Sequence, residues 1–150
     1  MIEVRCVTPD DTEALGGRVA SSLRPGDIVV LAGGLGAGKT LFTKGLATGL
    51  GVVEPVVSPS FVLVREYRSG FMPMIHADVY RLGSINEFDD LDVLEMSKEG
   101  VLVIEWGGAV ESALPPDHLR IDFEVEDDDS RVLRFKSEGS WAMRELDYLT

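Results

Sequence analysis

The chain has 150 residues, 14 basic and 26 acidic, with a formal net charge of −12. That length predicts a single domain spanning 1–150, large enough to fold around its own core without staples. A lone cysteine, Cys6, excludes an intrachain disulfide and a cysteine-rich zinc site, and the acidic balance argues against a direct grip on nucleic acid, which needs Lys and Arg to neutralise phosphates.

The charge is uneven. Residues 1–75 carry seven basic and seven acidic side chains, whereas residues 76–150 carry seven and nineteen. Two stretches hold most of the excess: Glu87, Asp89, Asp90, Asp92 and Glu95, then Asp122, Glu124, Glu126, Asp127, Asp128 and Asp129. The start, Met1-Ile2-Glu3-Val4-Arg5, lacks the pattern of a signal peptide. The strongest early apolar run, Ile28 to Ala32, is far short of the ~20 residues that span a bilayer, so the expected compartment is the cytoplasm, with no membrane partner.

Ile2 to Val7 alternates as a strand. Thr8 then reads as an N-cap, with Pro9 at the first helical position and acids in the first turn; Leu15, Val19 and Leu23 carry this helix to about Leu23. Asp27 to Ala32 reads as a strand whose unbroken apolar run, from Ile28, is the pattern of a strand buried on both faces of a parallel sheet. Phe42, Leu46 and Leu50 mark a second helix ended by Gly51. Phe61–Tyr67 and Met72–Val79 read as a hairpin. The acidic stretch 87–95 reads as short helix, with Phe88, Leu91 and Leu94 inward. Val101–Ile104 is another buried strand. Leu119–Val125 and Val132–Lys136 form a late hairpin, and a last helix is expected near Trp141–Leu149. Together these predict a three-layer α/β domain of P-loop NTPase type, with a mixed, mainly parallel sheet and short β-hairpins.

Gly33-Gly34-Leu35-Gly36-Ala37-Gly38-Lys39-Thr40 fits G-x-x-x-x-G-K-[ST] between a buried strand and an amphipathic helix. Glycines let backbone N–H groups turn inward around phosphate oxygens, and the following helix adds the positive end of its dipole. The candidate nucleotide-binding positions are Gly33, Leu35, Gly36, Ala37, Gly38, Lys39, Thr40 and Leu41. Lys39 supplies a point charge for the outer phosphates, and Thr40 offers a hydroxyl to Mg²⁺. Such a loop needs an acid at the end of a neighbouring strand. Glu105, after Val101–Ile104, fits that place; Asp78 is its rival. His76 reads as a packing residue, Arg81 as a surface partner of an acid, and Trp106 as core or interface. No N-K-x-D element for guanine is present, which favours adenine and hence ATP.

With these residues assembled, the chain resembles the TsaE family, bacterial ATPases of tRNA threonylcarbamoyladenosine modification. The resemblance rests on residues 33–40, Ser58-Pro59-Ser60-Phe61, His76-Ala77-Asp78-Val79-Tyr80-Arg81-Leu82, and Ile104-Glu105-Trp106. It implies that Thr40 and Glu105 hold Mg²⁺, that Lys39, Asp78 and Glu105 serve hydrolysis, and that Ser58–Phe61 is a switch-like loop. It further suggests Thr8 and Arg131 near adenine. It implies TsaB and TsaD as partners, with tRNA met only through them and ATP hydrolysis resetting the assembly. The Glu87–Glu95 cluster would then face a basic patch on TsaD or compete with tRNA for it. Three positions depart from the family pattern: Gly34 replaces Asp, Ser60 replaces Thr, and Gly108 stands where an acid is usual, with Glu111 as a possible substitute. The rival readings are a small-metabolite kinase and a scaffold that binds nucleotide without hydrolysing it.

Overall fold

A computed structural model describes residues 1–34, 36–59, 63–79, 85–106 and 110–150, with the backbone alone at 85, 86 and 90. Its seven strands are β1 (Ile2–Cys6), β2 (Ile28–Gly33), β3 (Val64–Tyr67), β4 (Met74–Asp78), β5 (Val101–Glu105), β6 (His118–Val125) and β7 (Arg131–Glu138). They form one sheet in the order β1-β7-β6-β2-β5-β4-β3. The central strands β6, β2, β5 and β4 run parallel, and antiparallel partners flank them: β3 beside β4, β7 beside β6, and β1 beside β7.

Both faces of β2 are covered, which explains its unbroken apolar run. Val29 and Leu31 point into a cluster with Leu15, Val19, Phe42 and Leu46, supplied by α1 (Pro9–Ala20) and α2 (Lys39–Gly49). Ile28 and Val30 point the other way, toward Leu102 and Ile104 of β5 and toward Phe88 and Val93 of the short helices α3 (Ile85–Asp90) and α4 (Val93–Met96). The result is the three-layer α/β architecture the sequence predicts, with the core split by the sheet into two layers.

Helix α1 starts on a capping box: the Thr8 hydroxyl accepts from Asp11 N–H at 3.2 Å, and the Asp11 carboxylate accepts from Thr8 N–H at 3.1 Å. It ends at Ala20, not Leu23: the N–H groups of Ser22 and Leu23 donate three residues back, to Val19 and Ala20, and tighten the chain into a turn. Leu23 is still buried, reached through a turn. The two long helices nearly touch. A Cβ at Gly45 would lie 1.8 Å from the Glu13 carbonyl oxygen, and one at Gly16 would lie 2.2 Å from that of Phe42. This approach brings Thr12 of α1 against Gly38, at the head of α2.

The acidic stretch forms two helices, not one, because Asp92 takes a left-handed backbone (φ +58°) between them. The helix expected at Trp141–Leu149 does not form. Two 3₁₀ turns, Gly139–Met143 and Asp147–Leu149, flank an extended Arg144 (φ −88°, ψ 138°). Arg144 is drawn out to donate to both carboxylate oxygens of Asp27, at 2.6 and 2.7 Å, and its guanidinium stacks 3.8 Å from the Trp141 ring. Trp141, Leu146 and Leu149 are all buried in the α1–α2 layer. An α-helix would set Trp141 and Leu146 about 140° apart around its axis and could not bury both as well.

Candidate functional site

Parallel strands β2, β4 and β5 end together, so their next residues share one edge. Asp78 and Glu105 are register partners, and Leu31 of β2 pairs with Glu105. Beyond β2 the chain makes its Gly-rich turn, with Gly36 at φ +73° and Gly38 at φ +103°, backbone conformations that exclude most side chains. Gly38 is also the N-cap of α2 and offers no side chain to it, so the first N–H groups of the helix are left for another acceptor.

An open cleft of about 280 Å³ lies at this edge. Gly36, Ala37, Gly38, Lys39, Thr40 and Leu41 form one wall; Ser58, Asp78, Glu105 and Trp106 form the other. Lys39 is only 4% exposed, and its Nζ donates to the carbonyls of Gly33 and Gly34 at 2.9 and 2.8 Å. Burial pushes this ammonium below the ordinary lysine value, and the nearby Glu105 and Asp78 carboxylates oppose that shift. Trp106 is partly buried against the core layer that holds Ile104 and Val110, as expected, and at φ +66° it also lays its ring 3.8 Å from the ammonium.

The Thr40 hydroxyl donates to the two Glu105 oxygens at 3.0 and 3.1 Å. From below, His76 Nε2 lies 2.5 Å from Glu105 Oε2. His76 is buried, as expected, and does not line the cleft, but β4–β5 pairing sets it against the cleft's Glu105, a contact that local pattern does not reveal. Among the described residues, no group of three or more His, Cys, Asp and Glu side chains could cage a metal. A hydroxyl beside a carboxylate does fit a hard cation that takes its remaining ligands from phosphate and water, as Mg²⁺ does.

The remaining predicted positions divide. Arg131 Nη2 donates to the Gly36 carbonyl at 3.2 Å, so the β6–β7 hairpin reaches the loop. The Thr8 hydroxyl is engaged as the α1 cap, and Thr8 does not line the cleft. Gly33 sits behind the loop, where a Cβ would meet the Phe123 carbonyl oxygen at 2.8 Å. Gly34 is exposed, with open space where its Cβ would be, so the departure from Asp leaves the turn's shape intact. Glu111 is occupied by His118, at 2.7 Å, and by Arg120. Leu35, Ser60, Phe61, Tyr80, Arg81, Leu82 and Gly108 lie outside the described residues.

The family profile described as "Threonylcarbamoyl adenosine biosynthesis protein TsaE" matches residues 6–133. The chain belongs to the TsaE family. It is 41% identical over 137 residues to a Bacillus subtilis tRNA threonylcarbamoyladenosine biosynthesis protein TsaE, covering 91% of this chain and 85% of that one. A Mycobacterium leprae protein of the same description is 45% identical over 130 residues, covering 81% of each chain. The fold superposes on a crystal structure of Bacillus subtilis YdiB with a TM-score of 0.80 and 36% identity, covering 95% of this chain and 89% of that one. TsaE membership ties the chain to tRNA threonylcarbamoyladenosine biosynthesis. The matched span holds the whole cleft and stops before the Arg144 anchor.

Proposed function

We propose that the chain is a single-domain, Mg²⁺-dependent ATPase that acts as a nucleotide switch in tRNA threonylcarbamoyladenosine formation, resetting a TsaB–TsaD transferase assembly. The observation that carries this reading is the meeting of Lys39, Thr40, Asp78 and Glu105 in one cleft at the head of α2. Backbone N–H groups of residues 36–41 and the α2 dipole favour phosphate oxygens there. Lys39 rests on two neutral carbonyls, and a phosphate oxygen is a stronger acceptor for the same ammonium. Trp106 shields that charge from water, which strengthens its pull on developing negative charge.

Thr40 and Glu105 would hold the cation, which when bound neutralises charge on the outer phosphates. Asp78, the register neighbour of Glu105 at the end of β4, would orient the attacking water. Lys39 is the one basic side chain lining the cleft among the described residues, so turnover by the free chain should be slow and completed by a partner. Loss of the γ-phosphate would change the surroundings of Ser58 and Asp78, and through them the surface offered to that partner.

The net charge of −12 supports a link to tRNA through TsaB and TsaD and not by direct contact. Among the described residues no helix is long and apolar enough to cross a membrane. The test is phosphate release from ATP with Mg²⁺, with and without TsaB, TsaD and tRNA. Free phosphate that rises with the partners and disappears in Lys39→Ala and Glu105→Ala is expected. A phosphorylated metabolite, or normal release by either variant, would overturn the reading.

A further inference from the structure

His76 is fully buried in the middle of β4, a position at which an apolar side chain would be the cheaper choice. Its register partner is Val103, and Asp78 pairs with Glu105, so His76 and Glu105 are diagonal neighbours on one face of the sheet. Val103 and Met74 of that face belong to the layer beneath α2, which places the imidazole between this apolar layer and the floor of the cleft. Its Nε2 approaches Glu105 Oε2 to 2.5 Å. Thr40 donates to the same carboxylate from the loop side, so an ionised Glu105 would accept from both Thr40 and a proton on Nε2. The other ring nitrogen, Nδ1, is buried without a hydrogen-bond partner among the described residues. The imidazole thus directs its polar contact to Glu105.

We propose, resting on the Mg²⁺–nucleotide reading above, that His76 is a positioning residue for the metal-side carboxylate. By clamping Oε2 from beneath, it fixes the rotation of Glu105 so that both oxygens stay within reach of Thr40 and Oε1 is left for the cation. A partner behind a metal ligand of this kind sets ligand orientation and basicity, and its loss typically costs about 10–100-fold in metal affinity.

The test reads metal dependence and not turnover. Binding of a fluorescent ADP analogue is titrated with Mg²⁺ in the wild type and in His76→Gln, His76→Asn and His76→Leu, with thermal melting to establish folding. The Gln amide can place an N–H near the position of Nε2, whereas the shorter Asn amide cannot. Metal-free ADP affinity is expected to be the same in all four proteins. The Mg²⁺ concentration giving half the gain should rise about 10–100-fold in the Asn and Leu variants and stay near wild type in Gln. Asn and Gln differ by one methylene, so their contrast survives even if Leu fails to fold. Folded Asn or Leu variants with wild-type Mg²⁺ dependence would overturn the proposal, as would a Gln variant impaired as much as Asn. Wild-type protein whose ADP affinity ignores Mg²⁺ would overturn the underlying cation reading itself.

Discussion

The two ends of β2 carry the same motif, a wholly or partly buried cation laid 3.8 Å from a tryptophan ring, and use it in opposite ways. Below the strand, Arg144 meets Asp27 with two parallel bonds and also donates to the Ser22 carbonyl at 3.0 Å. Asp27 further accepts from Arg24 N–H at 2.6 Å, so charge and geometry are matched there. Above the strand, Lys39 is more deeply buried, and among the described residues its ammonium hydrogen-bonds backbone carbonyls only, while Thr40 and His76 converge on Glu105 from two sides. A closed pair has nothing to gain from a ligand. A cation on neutral acceptors does, and this contrast separates a structural anchor from a binding site although both look like polar groups in a core.

Breaking each end should therefore give different losses. Arg144→Ala leaves Asp27 buried without its partner and should cost about 3–5 kcal/mol in chemical denaturation, with ATP affinity retained. Lys39→Ala should show the reverse, an ATPase rate down about 100–1,000-fold in a steady-state assay with the melting temperature preserved. Gly45→Ala tests what links the ends, because its new Cβ would be driven into the Glu13 carbonyl and would prise α2 from α1. A loss of about 1–3 kcal/mol, together with weaker nucleotide binding, is expected.

The smallest effect concerns Glu111. Burial would raise its pKa, but hydrogen bonds from His118 and Arg120 prevail and hold the carboxyl below its ordinary value of 4.5. A depressed carboxyl contributes stability that is present above pH 4.5 and fades as pH falls through the lowered value. The stability gap between wild type and Glu111→Gln should thus be full at neutral pH and shrink in acid, as denaturation at a series of pH values would record.

Much of this was legible locally. The unbroken run of β2 announced two covered faces, the capping signals placed the start of α1, and the Gly-rich loop with Lys39 and Thr40 marked the cleft. Strand ends at Asp78 and Glu105 followed from strand lengths alone. What escaped depends on partners far along the chain. Trp141–Leu149 reads locally as a last helix, yet Asp27, more than a hundred residues earlier, holds Arg144 extended. His76 looks like ordinary packing until parallel pairing sets it beside Glu105, 29 residues on. Trp106 reads as core or interface and does pack on the core, but nothing in its neighbours signals the left-handed backbone that also brings it over Lys39.

The most direct test of the cleft as the nucleotide site is a calorimetric titration of ATP with Mg²⁺ into wild-type protein and Lys39→Ala. Saturable binding by the wild type that vanishes in an equally stable variant is the predicted result; the same ATP affinity in both would contradict it.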